Sequence, residues 1–82
     1  MSISYVTPLE TQQYFMTLAH RIAAGRRELG FTQTEMAKLA GTSLSTYRKI
    51  ENGDATVAAE TLYRVIKTLK TRLHHDLFVD PV

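Results

Sequence analysis

Thr32 to Gly53 reads TQTEMAKLAGTSLSTYRKIENG, a stretch that starts a helix twice with one glycine turn between the starts. The first start is Thr32-Gln-Thr-Glu35, a capping box. In this motif a threonine side chain and a glutamate three residues later each satisfy a free backbone N–H. Phe31 before the cap and Met36 after it are placed to form a hydrophobic staple. These signals predict a short helix from about Gln33 to Ala40. Gly41 stops it, because glycine readily takes the left-handed conformation that a helix C-terminus wants. Ser43 then caps a second short helix, about Leu44 to Asn52, which Asn52-Gly53 ends.

Two short helices joined by so tight a turn cross at a steep angle. The crossing needs a small residue, and Ala37, four before Gly41, stands where the contact should fall. Tyr47 and Ile50, three apart, give the second helix an inward face. At ~100° per residue, Ser45 and Lys49 fall opposite that face, with Arg48 and Asn52 beside them and Leu44 at the leading end. The outward face is therefore polar and basic. A DNA major groove, about 12 Å wide, admits one such helix. The preceding helix would cross the backbone with its N-terminal amides and Gln33 toward a phosphate.

The flanks are helical too. Thr7-Pro8-Leu9-Glu10 is another helix start, with a cap, a proline at the first helical position and a box glutamate. Phe15, Leu18, Ala19, Ile22 and Leu29 recur at helical spacing, and Gly30 ends the run. Its length leaves room for a break near residues 12–14. Leu62, Val65, Ile66 and Leu69 mark a further helix with one apolar stripe. Beyond Lys70 the pattern weakens. Residues 73–78 suit either a short fifth helix or an extended tail, since Val79 favours strand and Pro81 forbids helix. The expected fold is all-α: a compact domain of four or five helices, with its core at about residues 8–70. Residues 71–82 are left over.

Composition bounds the function. Eighty-two residues make one small domain, and a 44% hydrophobic content suffices for one core. The chain has no cysteine, which excludes disulfides and thiolate metal sites and suits a reducing cytoplasm. No apolar run approaches the roughly 20 residues of a membrane span, and residues 1–5 carry no signal-peptide pattern. The net charge of +2 is modest but uneven. Before Glu51 the basic residues Arg21, Arg26, Arg27, Lys38, Arg48 and Lys49 face only Glu10, Glu28 and Glu35. From Glu51 onward, acids slightly outnumber bases. The positive charge gathers around the helix pair, as contact with an anion requires.

The helix pair and its surroundings resemble the Cro/C1-type (XRE) helix-turn-helix family of lambda-repressor-like DNA-binding domains, which includes phage repressors, restriction–modification controllers and antitoxins. Gln33, Glu35, Ala37, Gly41, Ser43 and the run Ile50-Glu-Asn-Gly53 carry the resemblance, with Arg26 upstream and Glu60-Thr-Leu62 downstream. It covers about Ile22 to Leu69. It implies that Leu44, Ser45 and Lys49 face base edges, while Gln33, Ser43, Arg48, Asn52 and Gly53 meet or flank phosphates. It also implies an ion pair between Arg26 and Glu51 that ties the first helix to the third. Gly25, Thr42, Leu44, Tyr47, Asp54 and Ala55 depart from the usual pattern. A leucine at 44 can touch a thymine methyl but cannot make a bidentate hydrogen bond.

Plainer roles stand beside these. Ser43 is first a helix cap. Tyr47 belongs to the core, with its hydroxyl expected at the surface. His74-His75-Asp76 invites a metal, but adjacent histidines on a helix diverge and no third ligand stands near. No nucleophile–base pair stands out, so neither an enzyme nor a cofactor is expected. Leu77, Phe78 and Val79 cannot all point into one small core from a helix, and are candidates for a dimer contact. The alternative surface is the first helix around Tyr14 and Phe15.

The expected function is that of a homodimeric transcriptional repressor, binding an inverted repeat in double-stranded DNA in the cytoplasm of a prokaryote, at the nucleoid or on phage DNA. Two other readings compete. One is an antitoxin that neutralises a toxin partner and represses its own operon; a neighbouring toxin gene would favour it. The other is a module that binds only protein; absence of salt-sensitive DNA binding would favour that.

Overall fold

The computed structural model describes residues 5–75. Four helices follow in order: α1, Pro8–Glu28; α2, Gln33–Leu39; α3, Leu44–Glu51; and α4, Ala59–Arg72. Among the described residues there is no strand. The expected dimer residues Leu77, Phe78 and Val79 lie outside the described residues.

The first three helices end in the same way. Gly41 has φ +70°, its N–H donates to Lys38, and the N–H of Thr42 donates to Ala37 at 2.9 Å. This is the Schellman arrangement, which returns the chain sharply and satisfies carbonyls that the helix leaves open. Phe31 bonds back to Arg26 after Gly30, and Asp54 to Lys49 after Gly53, in the same pattern. Two residues beyond Gly41, the Ser43 side chain accepts from the Thr46 N–H and opens α3. The double start is thus a Schellman ending placed directly against an N-cap. Capping boxes at Thr7–Glu10 and Thr32–Glu35 open α1 and α2.

The core is one cluster: Ile22, Met36, Ala37, Ala40, Tyr47, Ile50, Val65 and Leu69, with Phe31 and Leu62 among the residues packed on its edge. Ala37 is buried where α2 meets α3, and a side chain of this size lets the two short helices approach. All the buried residues of α1 lie at or beyond Ala19, so its first half extends past the core.

One expectation fails, and two points that the sequence left open are decided. The first helix runs unbroken from Pro8, without a break at residues 12–14, because the capping box and Pro8 start it where no packing partner is needed. The Tyr47 hydroxyl does not reach the surface: the side chain is wholly buried. Among the described residues no fifth helix follows α4: Leu73 is extended at ψ 147°, one of the two arrangements the sequence allowed.

Candidate nucleic-acid interface

The site is built on α3. Its buried side is Tyr47 and Ile50, and one turn of geometry sends Ser45, Arg48 and Lys49 to solvent. Asn52, just past the helix, is exposed as well, and Leu44 is half-buried at the leading end. Ser43 is exposed while holding the cap; besides accepting from Thr46 N–H, its hydroxyl donates to Thr46 Oγ1 at 3.0 Å. Gly53 is half-buried, with φ +78°, against Met16 of α1. Ser45, Arg48, Lys49 and Asn52 therefore share one polar side carrying two cations.

The angle of α3 is fixed from below by Glu51. Arg26 of α1 donates to its carboxylate twice, Nε to Oε2 at 2.7 Å and Nη2 to Oε1 at 3.2 Å. The third arm of the same guanidinium, Nη1, donates to the carbonyl of Phe31 at 2.8 Å. Gln33 of α2 adds a bond from Nε2 to Glu51 Oε1 at 3.1 Å. One carboxylate thus joins α1, α2 and α3. Burial would raise the Glu51 carboxyl, but the hydrogen bonds from Arg26 and Gln33, with Tyr47 facing the same group, outweigh burial and hold it below the ordinary carboxylate range. Burial pushes the Tyr47 phenol well above its usual range. That hydroxyl is enclosed beside Arg26 and Glu51 without a hydrogen bond of good geometry.

Gln33 is half-buried, and its amide nitrogen carries a second N–H beyond the one given to Glu51. The same group can brace Glu51 and still meet an anion at the start of α2. Asp54 is turned into its own loop: its carboxylate accepts from the Thr56 hydroxyl at 2.6 Å and the Thr56 N–H at 2.8 Å. Those bonds hold Asp54 below its ordinary range. An acid at this position is therefore spent locally rather than directed outward.

Two participants escape a sequence reading. Arg64 of α4 donates from Nη1 to the carbonyl of Gly41 at 3.2 Å, so α4 holds the turn between α2 and α3. Its helical pairing with Glu60 follows from their spacing, whereas its reach to Gly41 depends on how α4 packs. His75 contacts both carboxylate oxygens of Glu28, at 2.9 and 3.0 Å, and so fixes the chain leaving α4 to the end of α1. Among the described residues no three His, Asp or Glu side chains gather as a metal site would require, and no helix is long and apolar enough to cross a membrane.

Compared with known protein families, residues 22–75, well over half of the chain, match the family described as helix-turn-helix, of the Cro/C1 type. No curated protein matches, and no solved structure does.

Proposed function

The chain belongs to this helix-turn-helix family of DNA-binding transcription regulators, and from that premise we propose that it is a sequence-specific repressor acting as a homodimer on an inverted repeat. One observation carries the reading: Ser45, Arg48, Lys49 and Asn52 form a single exposed side, carried on a helix whose opposite side is locked to α1 and α2 through Glu51. A rigid polar ridge with two cations and no carboxylate directed across it suits the major groove.

In this reading Leu44, Ser45 and Lys49 address base edges. Gln33, Ser43, Arg48, Asn52 and the amide of Gly53 address the phosphates on either side. One such helix reads only a few base pairs. Two copies related by a two-fold axis place their α3 helices about 34 Å apart, in successive major grooves on one face of the duplex. Leu77, Phe78 and Val79 are the proposed dimer contact. The place of action is the chromosome or a phage genome in a prokaryotic cytoplasm.

A footprint on DNA upstream of the protein's own gene tests the proposal. A protected pair of half-sites about one helical turn apart, with affinity that falls steeply as salt rises, is the expected result. Equal, salt-insensitive retention of every sequence would leave the protein-binding reading in its place.

A further inference from the structure

Between the outer side of α2 and the end of α4 lies a groove of about 550 Å³, lined by Phe31, Glu35, Lys38, Leu39 and Arg72. Its apolar part is Phe31, half-buried, and Leu39, left 43% exposed on a helix whose Met36 and Ala37 are covered. Its cations, Lys38 and Arg72, lie in the last turns of α2 and α4. A cation is ordinary at such a place, where helix carbonyls attract it. That attraction does not account for an uncovered leucine in the same groove. Among the described residues Lys38 has no carboxylate partner, and Arg72 makes only a 3.5 Å contact to the carbonyl of Thr68. The groove therefore asks for an apolar group flanked by acids.

The described part of the chain cannot supply those acids, because every carboxylate in it is engaged. Glu10 and Glu35 close capping boxes, and Glu51 holds Arg26 and Gln33. Glu28 meets His75, Asp54 accepts from Thr56, and Glu60 pairs with Arg64. No described face of a second copy therefore offers an uncommitted acid to Lys38 and Arg72. An occupant that complements the groove brings its own.

We propose that the groove docks a short acidic segment of a different protein: one aromatic or branched apolar side chain with aspartate or glutamate on either side. The apolar side chain covers Leu39 and Phe31, and the acids meet Lys38 and Arg72. A polypeptide suits the site better than a small molecule does. Glu35, Lys38, Leu39 and Arg72 are all exposed, so the groove is shallow. A small ligand's site usually buries about 70–90% of the ligand, whereas a segment of chain needs cover on one side only. The apolar anchor supplies most of the affinity, and the two cations select for charge and set the salt dependence. No residue assigned above to DNA lines the groove, so this docking stands apart from both the DNA and the homodimer readings.

Random peptides displayed on phage and selected on the full-length chain test the proposal. Selection should enrich one aromatic or branched side chain flanked by acids. The best peptide, synthesised with a fluorescent label, should bind Leu39→Glu about thirtyfold more weakly, as loss of a central anchor does. Lys38→Ala and Arg72→Ala should each weaken it about two- to fivefold, the range of an exposed ion pair. The far-ultraviolet dichroism of all three variants should match the wild type. A chain carrying both Lys38→Glu and Arg72→Glu should instead enrich anchors flanked by lysine or arginine from the same library. Enriched peptides without acids, or peptides that bind Leu39→Glu as tightly as the wild type, overturn the proposal. Peptide affinity that rises in Phe78→Ser gives the groove to the chain's own final residues and overturns it too. So does wild-type self-association that both Leu39→Glu and the peptide abolish, which gives the groove to a second copy.

Discussion

Arg26 on α1 and Glu51 on α3 are joined by two parallel hydrogen bonds, Nε–Oε2 at 2.7 Å and Nη2–Oε1 at 3.2 Å, with side chains only 12% and 7% exposed. So little solvent reaches the pair that its geometry, rather than its charge alone, sets the position of α3. Replacing one partner leaves the other charged and enclosed, which is the costly way to break a buried pair. Glu51→Gln keeps the shape and removes the charge. The expected loss is about 2 kcal/mol, read from a denaturant melt.

The same residue gives a pH dependence of definite sign. The Glu51 carboxyl sits below its ordinary range in the folded chain, so the unfolded chain binds its proton more tightly. Its contribution is therefore complete above the unfolded value, about 4.3, and is lost as pH falls through the lower folded value. Glu35, held down by its bonds with Thr32, and Asp54, held down by Thr56, act in the same direction. Melting temperature should fall on acidification below about pH 4.3. It should fall less steeply in Glu51→Gln; identical slopes would assign the effect to the two exposed acids.

Tyr47→Phe tests the buried hydroxyl. An enclosed polar group without a partner lowers stability, so removing it should leave the chain equally or more stable. A loss above about 1 kcal/mol would mean that the hydroxyl donates to Glu51 in solution and belongs to the brace.

The turn between α2 and α3 depends on two small residues for different reasons. At Gly41 the backbone has φ +70°, and a Cβ there would also lie 3.1 Å from Arg64 Nη1. Gly41→Val should cost at least ~1–2 kcal/mol from the left-handed conformation alone. Ala37→Leu forces a larger side chain between α2 and α3 and should cost ~1–3 kcal/mol. Thermal melts of both variants matching the wild type would contradict the packing described for this turn.

Much of this frame is legible in the sequence because its signals are short-range. Thr7, Thr32 and Ser43 act on amides three residues away, and Gly41 and Gly53 act on their own φ. The outward side of α3 follows from the spacing of Tyr47 and Ile50. The contacts of Gln33 with Glu51 and of Arg64 with Gly41 are not legible, since they join residues 18 and 23 positions apart. They depend on crossing angles set by the whole core. The buried Tyr47 hydroxyl escapes for a related reason: an aromatic with a polar tip can end inside or outside, and only the neighbouring Arg26 and Glu51 show which. The first two turns of α1, residues 8–14, are exposed along their whole length, so no buried stripe marks them and the capping box with Pro8 carries the local instruction.

Lys49 separates reading of sequence from attraction to charge. It is exposed on α3, on the side away from the buried Tyr47 and one helical turn beyond Ser45, which is where a long cationic side chain meets base edges if α3 lies in the major groove. A lysine that donates to guanine O6 or N7 contributes mainly on its own site. Lys49→Ala should then cost ~1–3 kcal/mol on the operator and much less on unrelated DNA, narrowing the ratio between the two. A lysine that meets only phosphate would weaken both equally and reduce the dependence of binding on salt by about one counterion. Arg48, flanking the same side, should behave in this second way. Titrations of both variants against operator and random duplex at several salt concentrations distinguish the two roles. Equal losses for Lys49→Ala on both duplexes would move base reading to Leu44 and Ser45 at the leading end of the helix.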